Sequence, residues 1–168
     1  MIRRFKDVTP AVDAAAYIDE SAQVIGDVVI GSESSVWMNV VIRGDVNKVR
    51  IGRRTNIQDL TMIHVMRDTH PTIIGDEVTI GHSAVVHGTT IEDRVLIGMA
   101  AVLLNGVHVG HDSIVAAGTL LTESTRIPPR SLVMGRPGKV RRELTDAEVA
   151  EIRGYADNYV RYRLDYQS

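Results

Sequence analysis

The sequence predicts an all-β solenoid, a parallel β-helix of six-residue repeats followed by a C-terminal α-helix. Three observations carry this. An aliphatic residue recurs every six positions: Ile18, Val24, Ile30, Val36 and Ile42, then Ile51, Ile57 and Ile63, then Ile74, Ile80 and Val86. After a five-residue step the register resumes at Ile91, Ile97, Leu103, Val109, Val115, Leu121, Ile127 and Val133. A small or β-branched residue often stands four positions behind, as at Ala22, Val28, Ser34, Thr55, Thr61, Ala84, Ser113 and Thr119. Aromatic residues make up only 4% of the chain, so branched aliphatics have to fill the interior, and these favour strands.

A period of six does not fit helical turns of 3.6 residues, but it is a multiple of the strand period of two. Each hexad is therefore a short strand and a corner with one branched side chain pointing inward. Three hexads make one triangular coil, and coils stacked ~4.8 Å apart pair their backbones as parallel strands do. Glycine often follows the aliphatic directly, at Gly31, Gly52, Gly75, Gly81, Gly98 and Gly110. Two segments break the period, "RGDVNKVR" from Arg43 and "HVMRDTHPT" from His64. In a repeat architecture such interruptions become loops, and loops on a rigid scaffold are where function concentrates.

The repeat fades around Pro128, Pro129 and Pro137, each of which removes a backbone donor. The solenoid is assigned to residues 1–140. Residues 141–168 are assigned to a helix packed on the prism or on a neighbouring subunit. Thr145 and Glu148 read as a capping box, and Val149, Ile152, Tyr155, Tyr159 and Tyr162 form the expected helical stripe.

Composition narrows the function classes. At 168 residues the chain suits one domain with a short appendage. The absence of cysteine excludes disulfides and thiolate metal sites. A formal charge of −2 implies neither nucleic acid nor an anionic membrane as partner. No window approaches the ~20 apolar residues that cross a bilayer, and no apolar run follows the basic "MIRRFKDVTP". A soluble, cytoplasmic protein is expected.

Without cysteine, metal ligands have to come from histidine and carboxylates, and an open catalytic site needs three of them plus an exchangeable water. His64, His82 and His87 lie at and just after the second interruption. His64 and His82 stand one coil apart, so they are expected to be neighbours along the prism axis. They occupy different hexad places, so their side chains leave the coil in different directions. Two adjacent prisms could aim all three imidazoles at one point where a single prism could not. Spacing alone leaves open whether these histidines bind anything. His70, His108 and His111 read as solvated or structural.

The segments "VWMNVVIRGDV", "TNIQD", "MIHV" and "GHSAVVHGTTI", in this order, resemble the gamma-class carbonic anhydrases over nearly the whole chain. The resemblance implies a left-handed coil and a homotrimer with one divalent metal at each subunit interface, zinc foremost, with iron or cobalt as alternatives. It implies that His64, His82 and His87 are the ligands, His82 coming from the neighbouring subunit. It pairs Arg43 with Asp59 across the interface and places Asp45 there too. Gln58 would hydrogen-bond the solvent at the metal, Asn56 would line the pocket, and Tyr159 matches a helix tyrosine near the site.

The implied reaction is the reversible hydration of carbon dioxide to bicarbonate. The sequence departs from the most active members, which carry an acidic proton-shuttling loop. Here Val46 follows Arg-Gly-Asp, and the second interruption offers only Asp68. Leu60 stands where relatives often have a smaller or polar residue. Slow or absent hydration by the isolated protein is therefore expected, or a proton shuttle through Tyr159 or buffer. The alternatives are acyl-CoA thioester hydrolysis at the same site, a weakly active or structural homologue, and a metal-free hexapeptide acyltransferase.

Overall fold

A computed structural model describes residues 1–167; Ser168, the last residue assigned to the helical segment, lies outside the described residues. Hexad after hexad, the chain turns a corner and lays a short strand on the coil before it. The result is a left-handed parallel β-helix of about 7 turns. Three ladders form its faces. Val24, Ile42, Ile63, Val86, Leu103 and Leu121 are register partners on the first. Ile30, Ile51, Ile74, Ile91, Val109 and Ile127 form the second. Ile18, Val36, Ile57, Ile80, Ile97, Val115 and Val133 form the third. Apart from Ile18 at the open end, every one is buried. The hexad aliphatics are thus the core itself.

The strands Gln23–Ile30 and Val41–Ile51 run round a corner and join the first two faces into one 12-stranded sheet, leaving the third as a separate 8-stranded sheet. Most other corners are made by the third residue after the inward aliphatic, in left-handed conformation: Arg54 (φ 55°), Leu60 (φ 61°), Ala100 (φ 56°) and Arg130 (φ 59°) are examples. For residues with a Cβ this costs roughly 1–2 kcal/mol. The corner amides offset it by donating to the coil before, Leu60 to the Met38 carbonyl at 3.0 Å and Ala100 to the His82 carbonyl at 2.9 Å. Tight stacking also explains the glycines. A Cβ on Gly98 would lie 2.4 Å from the Ala117 nitrogen of the next coil.

The first interruption departs from expectation. "RGDVNKVR" is not a loop but part of the continuous strand Val41–Ile51. Gly26 pairs with Gly44 and Val28 with Val49, so this strand carries three more residues than its neighbour. Ladder pairs on both sides hold the surplus as a bulge. The second interruption is a true loop between Met62–His64 and Thr72–Ile74, closed by an antiparallel bridge between Met66 and His70. It lengthens its coil, so that Ile57 pairs with Ile80 and Ile63 with Val86. Consequently His64 is the register partner of His87, not the axial neighbour of His82.

After a hairpin of Ser131–Gly135 and Gly138–Glu143, the helix Asp146–Gln167 begins at the expected capping box. The Thr145 amide donates to Glu148 Oε2 at 2.9 Å, and the Glu148 amide to Thr145 Oγ1 at 3.3 Å. The helix lies on the third face of its own prism, held by Arg54 to Asp157 and by edge contacts of Trp37 with Tyr159 and Tyr166. Its expected stripe is only partly right. Ile152, Ala156 and Arg163 are buried, whereas Tyr155 and Tyr162 are exposed. The face it meets displays Ser35, Asn56 and Thr79, so anchoring falls to ion pairs and ring edges rather than to a broad apolar seam.

Candidate metal centre

The strand Val85–His87 crosses the first face between two corners, and each corner holds one of the paired histidines. On the side towards the second face, ladder register sets His87 beside His64. Their rings meet edge to face with centroids 5.0 Å apart, and His64 Nδ1 lies 3.1 Å from His87 Nε2. His64 Nε2–H donates to Asp45 Oδ1 at 2.9 Å, and Arg43 closes on the other oxygen of Asp45. Burial, together with the nearby Arg43 cation, pushes the His64 pKa down despite that bond. Burial also opposes ionisation of Asp45, but donors from His64 and Arg43 outweigh it and leave its pKa lowered. Both shifts favour a neutral imidazole beside an ionised carboxylate.

At the other corner, towards the third face, His82 Nδ1–H donates to Asp59 Oδ2 at 3.0 Å. Gln58 Nε2 donates to Asn56 Oδ1 at 3.1 Å, and Asn56 Nδ2 to Thr79 Oγ1 at 2.8 Å. This chain locks the Gln58 carboxamide and leaves its oxygen as the free acceptor. A cavity of about 390 Å³ opens here between prism and helix, lined by Gln58, His82, Leu96, Met99, Tyr155 and Tyr159 among others. Burial raises the Tyr159 pKa, and the Asp59 carboxylate raises it further.

The structure therefore brings His64, His87, Asp45 and Arg43 together, and separately His82, Asp59, Gln58, Asn56 and Tyr159. Arg43 and Asp59 do not meet within one chain; they pair with Asp45 and His82 instead. Among the described residues of a single chain, no three potential ligands converge. His108 reads as structural, since Glu92 and Arg126 engage both of its ring nitrogens.

Two residues escaped the sequence reading. His87 Nδ1–H donates to Asn105 Oδ1 at 2.8 Å, and Asn105 Nδ2 donates to Glu123 Oε1 at 3.0 Å. Each lies 18 residues beyond the last, so the spacing of one coil was the signal that could have found them.

Between the two corners the outward side of the first face is apolar. Val41, Met62, Val85, Val102 and Leu120 are successive register partners, and Leu60 and Met99 stand exposed on the His82 side.

Residues 71–105 and 88–123 match the model for the hexapeptide repeat of succinyl-transferase. A carbonic anhydrase of Geobacillus kaustophilus is 41% identical over 160 residues, covering 95% of this chain and 87% of that protein. The chain belongs to the gamma-class carbonic anhydrase family. The mitochondrial gamma carbonic anhydrase 1 of Arabidopsis thaliana is 52% identical over 91% of this chain, which spans 58% of that longer protein. Within the family's fold, a hexapeptide transferase family protein from Anaplasma phagocytophilum superposes with a TM-score of 0.94 at 37% identity, covering 98% of this chain and 97% of that one.

Proposed function

We propose that the protein is a metal-dependent carbonic anhydrase that interconverts carbon dioxide and bicarbonate at centres shared between the subunits of a homotrimer. One subunit contributes His64 and His87, and His82 of the partner subunit completes each ligand set. The observation that carries this is the set of atoms that the ring nitrogens face. In all three imidazoles one N–H is committed to an oxygen, of Asp45, Asp59 or Asn105. That is how metal-binding histidines are oriented. It leaves His64 Nδ1 and His87 Nε2 facing each other with lone pairs at 3.1 Å, a repulsive arrangement unless a cation lies between them. Two nitrogens on a tetrahedral zinc stand roughly 3.3 Å apart, from bonds of about 2.0–2.1 Å, so the pair fits such an ion with little adjustment.

The apolar ridge on the first face supports the trimer. It separates the corner with two histidines from the corner with one. A head-to-tail contact across it sets unlike corners together, and such contacts close into a three-membered ring when each subunit is rotated by a third of a turn from the last. Two histidines five residues apart in "GHSAVVHG" then serve two different centres.

When bound, a divalent ion supplies a water acidified to a pKa near 7, a nucleophile at neutral pH. The chain's own part is to position and to exclude. Gln58, locked through Asn56 and Thr79, presents its oxygen beside His82 and orients a hydrogen-bonding solvent. Asp45 and Asn105 keep the ligating nitrogens unprotonated. Tyr159, with its raised pKa, serves as a hydrogen-bond donor rather than a proton carrier, and with no acidic loop proton export falls to buffer. Metal analysis of anaerobically purified protein, coupled to stopped-flow carbon dioxide hydration, tests this reading. One divalent ion per chain and a rate that climbs with buffer concentration support it. Metal-free protein that binds acetyl-CoA would point instead to an acyltransferase.

A further inference from the structure

The Glu123 carboxylate is exposed and two coils from His87, yet the hydrogen-bond chain gives it a role at the centre. A carboxylate can only accept. It therefore draws the NH2 of Asn105 towards itself and turns the Asn105 oxygen towards His87. That oxygen in turn can only accept, so the His87 proton is held on Nδ1 and the lone pair on Nε2, the nitrogen facing His64. Reversed, the amide would present NH2 to Nδ1, move the ring proton to Nε2 and block ligation. Gly88 makes room for this device, since a Cβ there would lie 2.6 Å from Asn105 Oδ1. We propose that Asn105 and Glu123 are positioning residues that set the tautomer of His87, with Glu123 fixing the polarity of the chain from outside the site. The proposal rests on the reading of His87 as a metal ligand.

The test uses full-length protein labelled with 15N-histidine. Ring tautomers are read by NMR in the metal-free state, and zinc affinity is measured by competition with a chelator. Native protein is expected to hold His87 in the Nδ1–H form. Asn105→Leu removes the acceptor, and is expected to mix the tautomers and weaken zinc binding about 10–100-fold, the usual scale for a partner of a ligating histidine. Glu123→Gln, a surface change that leaves the fold alone, lets the amide turn either way and should also mix the tautomers. The double variant Asn105→Asp with Glu123→Gln rebuilds the chain with donor and acceptor exchanged, and is expected to restore both tautomer and affinity. Were Asn105→Leu and Glu123→Gln to keep the native tautomer, or the double variant to bind as poorly as Asn105→Leu, the assignment would be overturned. If native protein takes up no zinc, the metal reading fails, and the metal-free tautomer populations still decide this one.

Discussion

Asp45 ties the bulge of the first interruption to the centre, because its carboxylate accepts from both His64 and Arg43. Asp45→Asn offers an amide that can turn NH2 towards the imidazole and protonate the wrong nitrogen. Zinc affinity should fall about 10–100-fold with the fold intact by circular dichroism; unchanged affinity would exclude Asp45 as the orienting group. Gly98→Ala acts on stacking instead. Its Cβ would meet the Ala117 nitrogen at 2.4 Å, a backbone atom that cannot step aside. A loss of about 1–3 kcal/mol is expected in urea unfolding. At this scale the sequence was uneven to read. His64, His82 and His87 stood out because histidine is scarce and the motif order is specific. Asn105 and Glu123 did not, since each is an ordinary surface residue whose meaning comes only from the coil beneath it. Nor did the corners, since Arg54, Leu60 and Ala100 are not residue types that announce a positive φ.

Among the elements, the C-terminal helix began where its capping box said it would, because Thr145 and Glu148 act on their own backbone and need no tertiary context. Its buried side was misread because the third face offers it small polar residues and an edge of Trp37. The first interruption was misread for a related reason: a broken period shows that residues are added, not whether flanking ladders keep them in a strand. Glu148 supplies a pH prediction. Arg142, with the Thr145 donors, pulls its pKa to about 2 from an ordinary 4.5. A carboxylate depressed on folding stabilises above its unfolded pKa and loses that contribution as pH falls. The Tm difference between native protein and Glu148→Gln should be constant above pH 4.5, shrink between 4.5 and about 2, and vanish below. A difference that persists at the acid end would mean that the carboxylate charge is not what holds the helix start.

Across the whole molecule, the period of six was enough to read the prism, since each inward aliphatic reports its own burial. That His64 stands beside His87, with His82 at the opposite corner, was not readable from periodicity, because it depends on a coil lengthened by the second interruption. The apolar ridge on the first face gives a prediction at a residue that is not itself a proposed ligand. Val102→Glu puts a charge in the middle of that ridge, between Val85 and Leu120. It should yield monomers by sedimentation that fail to retain zinc despite carrying all three histidines. The most direct measurement is complementation. His82→Ala and His64→Ala proteins each lack a ligand at every interface and should bind no zinc alone. Unfolded together in equal amounts and refolded, they should regain about one quarter of the native metal content, since half the subunits on each side of an interface are intact at random assembly in a closed ring. A mixture that binds no more zinc than its parents would contradict a centre shared between subunits.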